Sequence, residues 1–226
     1  MIKTPVSVWL LLALASVSLV RAESARRAAT VCAIPILLLL FVSFFDITSP
    51  GIRRILIVVP FLLIVAGLAL AREVGRWTRS LAWGAALASV VAVQLIYPHH
   101  LSYVNPLFGG PEVGPYMLDE SNIDWGQDLP ALARWQQNNA PDEVLSIYYF
   151  GSADPTAYGV HALQLDVSEI EHPQPGLKAI SAHFLAGLHK QEALRGWDSD
   201  WLSKYEPIAK AGYSIFIYRF PESGDP

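Results

Sequence analysis

Cysteine is almost missing from this chain: Cys32 stands alone, inside an apolar run. A single thiol excludes an internal disulfide framework and any structural zinc site built from several cysteines. Charge is scarce as well, at 16% of residues, and acid is scarcest early: residues 1 to 97 hold three Asp/Glu against nine Lys/Arg. Residues 98 to 226 reverse that balance, with seventeen Asp/Glu against seven Lys/Arg. An acidic second part argues against a nucleic-acid partner, whose phosphates demand the opposite sign. The change of charge and hydropathy divides the chain into two domains, 1–97 and 98–226.

What the first domain has instead is apolar length. Hydrophobic residues make up 53% of the whole, and they concentrate in runs at 4 to 20, 29 to 45, 55 to 71 and 80 to 97. Each approaches the roughly 17 to 25 residues that span a bilayer, which predicts four transmembrane helices, with Pro35 and Pro60 inside two of them. Between the runs, Arg21, Arg26 and Arg27 occupy the first connection and Arg72, Arg76 and Arg79 the third. Positive loops stay cytoplasmic, so both termini and residues 98–226 are expected outside, in a multi-pass protein of the cell membrane. Lys3 before a short apolar run also resembles a secretory signal peptide, although cleavage there would invert the remaining topology. An outside N-terminus with almost no tail before it fits a chain whose upstream helices are missing.

The second domain reads as alternating elements. Apolar runs at 144 to 150 and 213 to 220, and a mixed one at 179 to 185, predict strands of a covered sheet, with a weaker strand from Val160 to Val167. Residues 129 to 139 carry Leu129, Leu132 and Trp135 or Gln136 at helical spacing. The expected fold is an α-helical membrane bundle of four spans followed by a small extracytoplasmic α/β domain.

The densest chemistry lies in "DESNIDWGQD", residues 119 to 128. Asp119, Asn122, Asp124 and Asp128 could bind hydroxyl groups or a cation, beside Trp125, whose ring can stack on a ligand. They could equally brace a loop: Asp124 and Gln127 have capping-box spacing, and Asp128 can cap a helix with Pro130 in its first turn. The string lacks the alternating ligands of a calcium loop, so no metal is expected. "GGP" at 109 to 111 reads as a turn rather than a phosphate loop, for it lacks a following Lys-Ser/Thr. His161, His172, His183 and His189 are too scattered for a metal site. "WDSDW", 197 to 201, reads as packing or as a saccharide contact.

The strings "YPHHLSYVNPLFGGPEVGPYMLDESNIDWGQDLPALARW", "YYFGSADPTAYGV" and "EPIAKAGYSIFIYRF" together resemble the C-terminal part of bacterial membrane glycosyltransferases. The type is that of dolichyl-phosphate-mannose protein mannosyltransferases, family 39 of the C fold class. The resemblance runs from about residue 46 onward, and S-N-x-D-W-G-Q-D is its specific part. It implies transfer of a sugar from a polyprenyl-phosphate donor to an acceptor outside the cytoplasm. The family's catalytic carboxylate sits in a first extracytoplasmic loop that this chain lacks, so no catalytic residue is assigned and no cofactor is expected. A missing N-terminal half or a partner subunit would supply it. The donor phosphate would meet Arg53 and Arg54 at a helix start, with His99 and His100 at the same rim; interfacial anchoring is the alternative role for the two arginines. The alternative to a transferase portion is a non-catalytic, membrane-anchored binding or scaffold module.

Overall fold

The structure is a computed structural model that describes residues 2–21, 25–45, 56–70, 75–118, 122–164, 169, 174–186 and 204–222. The chain divides into two compact units, a helical one of Met1–His100 with Val104–Gly109, and an α/β one of Leu101–Tyr103 with Gly110–Pro226.

In the helical unit, α1 (Val6–Arg21), α2 (Ala25–Phe45), α3 (Val59–Gly67) and α4 (Arg76–Leu95) are uniformly apolar over most of their lengths. Their shared core is built largely from alanine: Ala15, Ala66, Ala69, Ala82 and Ala85 are buried beside Leu11 and Val65. Small side chains let the backbones approach, and Ser7 and Ser89 hydroxyls meet at 2.7 Å between α1 and α4. The larger residues point the other way. Leu37, Phe41, Phe44, Trp83 and Leu87 are all more than half exposed.

Among the described residues no helix is long and apolar enough to cross a membrane. The expected four-span bundle, its membrane location and the extracytoplasmic placement of the second domain are corrected accordingly. The physical reasons lie in where the helices start and stop. α1 has 16 residues, about 24 Å at 1.5 Å per residue, short of a hydrocarbon core of about 30 Å. The run from 55 to 71 breaks into the nine residues of α3 and a 3₁₀ turn at Leu68–Leu70, and Pro60 stands in the first turn of α3 rather than inside a long helix. α4 begins at Arg76 and takes in Arg79, while α2 takes in Arg26 and Arg27. These four arginines are helical, so the charges they contribute are not loop charges.

The α/β unit is organised around a five-stranded sheet in the order β2-β1-β3-β5-β4. Its strands are β1 (Leu145–Tyr148), β2 (Ala162–Gln164), β3 (Gly176–Ser181), β4 (Ala209–Ala211) and β5 (Ile215–Phe220). β1 runs parallel to β2 and β3, whereas β5 is antiparallel to β3 and β4. The run from 179 to 185 is strand only to Ser181, after which residues 182–186 turn helical.

Both faces of this sheet are covered, which explains why β3 and β5 are apolar almost without alternation. On one face Leu145, Ile147, Leu177, Ala179, Ile215 and Ile217 pack with Leu129, Leu132 and Ala133 of α6 (Leu129–Asn139), the helix that follows the one-turn α5 (Gly114–Met117). On the other, Ile180, Phe216, Tyr218 and Phe220 pack with Ile123, Ala182 and Leu185. Gln136 is the polar rivet of the first layer: its amide donates to the carbonyls of Glu143 and His161 and accepts from the His161 amide, at 2.8 to 2.9 Å. It thereby fixes α6 to the entries of β1 and β2. Lys178, buried in β3, has its ammonium 2.9 Å from the Glu169 carboxylate.

Candidate functional site

Residues 122 to 128 form a turn that their own side chains hold shut. Asp124 Oδ1 accepts from the Gly126 amide at 3.1 Å, and Gln127 Oε1 accepts from the Trp125 amide at 2.8 Å. Gln127 Nε2 then donates to the Ile123 carbonyl at 2.9 Å and to Ser214 Oγ at 3.3 Å. Asp124 and Gln127 thus brace a turn, and no helix starts at Trp125. Gly126 is required there twice over: its φ is +71°, and a Cβ would meet the Tyr149 ring at 2.7 Å.

Asp128 occupies the cap position of α6, its carbonyl accepting from Leu132 N at 2.9 Å, with Pro130 in the first turn. Its carboxylate looks elsewhere. Oδ2 accepts from the amides of Tyr213 and Ser214 and from Ser214 Oγ, each at 2.9 Å. The charge is fully buried and ties the start of α6 to the turn between β4 and β5. Gly212 in that turn has φ +61°, and a Cβ on it would lie 2.2 Å from Asp128 Cγ.

Asp124 is equally buried, yet less well supplied. Oδ2 has no partner in hydrogen-bond geometry. Burial pushes its pKa above the ordinary carboxylate range, the negative charge of Asp128 adds to that, and the Ser181 hydroxyl with the amides of Gly126 and His183 partly offsets it. This carboxyl lies where the parallel strands β1 and β3 end.

Aromatic rings line the same place. Trp125, about half exposed, lies 5.1 Å from Phe150, which lies 4.3 Å from His183; His183 is 5.0 Å from Phe184, and Phe184 is 3.7 Å from Tyr148. Phe150 follows β1 by two residues and His183 follows β3 by two. The row therefore crosses the carboxyl ends of two neighbouring strands. β1 leads to β2 on one side while the chain returns to β3 on the other, a topological switch point, where open α/β sheets commonly bind ligands.

The expected site residues separate as follows. Asn122, Asp124, Trp125 and Asp128 lie in one turn of the α/β unit, with Asp124 and Trp125 at the aromatic row and Asp128 engaged in the hairpin clamp. Asp119, Arg53 and Arg54 lie outside the described residues, as do His172, His189 and the 197 to 201 stretch. His99 and His100 belong to the helical unit, where the His100 ring meets Tyr97 edge-on at 5.7 Å. Sequence reasoning passed over Phe150 and Ser181, and set His183 aside as one of four scattered histidines. Only the "YYFG" string, with glycine directly after aromatics, marked the spot. Among the described residues no three His, Cys, Asp or Glu side chains could hold a metal ion. No protein-family model, curated protein or solved structure matches the chain.

Proposed function

We propose that the α/β unit binds a saccharide at the carboxyl ends of β1 and β3, as the acceptor-recognising portion of a sugar transferase. One observation carries this reading: an exposed tryptophan heads a row of aromatic rings beside a buried carboxyl, at a switch point of the sheet. The C–H face of a pyranose stacks on such a ring, and a few convergent polar groups fix its orientation. The similarity of the S-N-x-D-W-G-Q-D string to sugar transferases supports a sugar over other flat ligands. A polyprenyl-phosphate donor belongs to the same proposal through Arg53 and Arg54.

A binding module without chemistry of its own is the second reading. It is favoured by Asp128, whose engagement with Tyr213 and Ser214 leaves Asp124 as the sole described carboxylate at the row, whereas glycosyl chemistry usually employs a pair.

Calorimetric titration of the whole chain with a panel of neutral mono- and oligosaccharides tests the proposal. At least one should bind, and Trp125→Ala should weaken it by about tenfold or more, as expected when a stacking anchor is truncated. Equal binding by the variant, or no binding across the panel, would overturn the reading.

A further inference from the structure

The sheet register carries the row of rings further than Tyr148. Tyr148 pairs with Ile180, Ile180 with Phe216, and Phe216 with Lys210. Directly paired residues point to one face, so these four form a line across β1, β3, β5 and β4, at the end of the sheet where β1 and β3 finish. Three strand spacings separate its ends, about 14 Å. Trp125 and its neighbours lead to Tyr148 at one end of that line; Lys210 stands at the other.

Lys210 is held in place there. Its ammonium lies 4.9 Å from the Phe216 ring centre and 5.9 Å from that of Tyr116, and Tyr116, on α5, meets Phe216 edge-on at 6.4 Å. Phe216 is buried, whereas Tyr116 is 74% exposed. The first site sets an exposed ring beside a carboxyl; this one sets an exposed ring beside a cation.

The counter-ion is the weaker part of the arrangement. Glu112 Oε2 lies 3.0 Å from Lys210 Nζ, yet the Glu112 side chain is 70% exposed against 25% for Lys210. The base is fixed and the acid is loose. Ion pairs with so exposed a partner contribute little, because water and salt compete for the charges, so another carboxylate can replace Glu112 at small cost. Residues 98 to 226 are acidic as a whole, but charges beyond about 8 Å are largely screened at physiological salt, and the charge in contact decides.

We infer that Lys210 and Tyr116 form a second subsite of the saccharide face, taking a uronic-acid residue whose carboxylate displaces Glu112 from Lys210 Nζ while Trp125 stacks on another sugar of the same oligosaccharide. This rests on the saccharide reading and names its substrate class: acidic oligosaccharides, in preference to neutral ones that engage the Trp125 end alone. The two rings already order the lysine, so binding costs it little side-chain freedom.

Titration calorimetry with glucuronate-containing di- and trisaccharides, beside otherwise identical glucose-containing ones, tests this. The wild type should bind the acidic member of a pair about fivefold to tenfold tighter at low salt, and the margin should shrink as salt rises. Lys210→Gln should cut the margin to within about twofold without changing affinity for the neutral sugars, whereas Lys210→Arg should keep it. Glu112→Gln removes the competing carboxylate and should widen the margin by about threefold. Its side chain is exposed, so this variant decides the matter should those at Lys210 fail to fold. Trp125→Ala should weaken acidic and neutral sugars alike. Equal binding of acidic and neutral members by the wild type, a margin that survives Lys210→Gln, or acidic binding indifferent to Trp125→Ala overturns the shared subsite, and binding of the neutral sugars then leaves the saccharide reading standing. Absence of binding across both sets overturns the saccharide reading and the subsite with it.

Discussion

The two units spend similar apolar residues in opposite ways. In the α/β unit Ile180, Ile215 and Ile217 are sealed between layers, and of the polar side chains at that depth Asp128, Gln136 and Lys178 have partners, whereas Asp124 Oδ2 and Ser102 Oγ are left without one. In the helical unit alanines fill the seam, while Leu37, Phe41, Phe44, Trp83 and Leu87 face outward. Apolar patches of that kind mark surfaces that associate. One unit is thus stabilised by shape and specific hydrogen bonds, the other by close backbone approach with its bulk left unspent. Hydrophobicity alone does not tell these designs apart.

The sharpest way to break the contrast is to remove a buried carboxylate. Asp128→Ala would strand the amides of Tyr213 and Ser214 and the Ser214 hydroxyl, and should cost the α/β unit about 3 to 5 kcal/mol. Urea unfolding followed at the near-ultraviolet aromatic signal measures it. Next comes a paired truncation. Ile217→Ala, at a fully buried site, should cost about 2 to 5 kcal/mol, whereas Leu87→Ala, 65% exposed on α4, should cost less than about 0.5 kcal/mol. Leu87→Gln should instead reduce self-association in light scattering. Equal losses at Ile217 and Leu87 would erase the distinction.

A subtler effect is the response of Asp124 to pH. Asp124 titrates above the ordinary carboxylate value of 3.8, so the folded state holds its proton to higher pH than the unfolded chain does. Stability from this group is therefore greatest in acid and declines as pH rises from about 4 until the raised folded value is passed. Asp124→Asn carries no such charge. It should equal or exceed wild type at pH 7 and lose that advantage near pH 3, in thermal melts across the range. Smallest of all is Arg219→Gln, which removes an exposed ion pair with Glu143 at 3.0 Å and should leave the unfolding midpoint unchanged within error.

What the sequence made legible follows from local rules. The apolar runs marked β1 and β5, and the three-to-four spacing with Pro130 marked α6 with Asp128 at its cap position. Helix type was equally visible in the first domain, but its consequence was not, because an apolar run reads alike whether it continues or breaks into α3 and a 3₁₀ turn. Side-chain partnerships were less visible still. Nothing near Asp128 points to Ser214, 86 residues away, and nothing near Asp124 points to Ser181 or His183. Those encounters are made by the register of β3 against β1 and β5, which only the folded sheet displays.

The position of β5 governs the order of assembly. Last of the described strands along the chain, it lies inside the sheet, between β3 and β4, and the turn that precedes it carries three donors to Asp128. Emerging from a ribosome, a chain that has not yet reached the hairpin has an open flank at β3 and lacks the Tyr213 and Ser214 donors to Asp128. Completion must wait for the hairpin, so contacts of long sequence separation set the pace. Until then the exposed flank of β3 is an edge that another nascent chain could pair with. Protection of that flank during synthesis is a task this topology leaves to its surroundings.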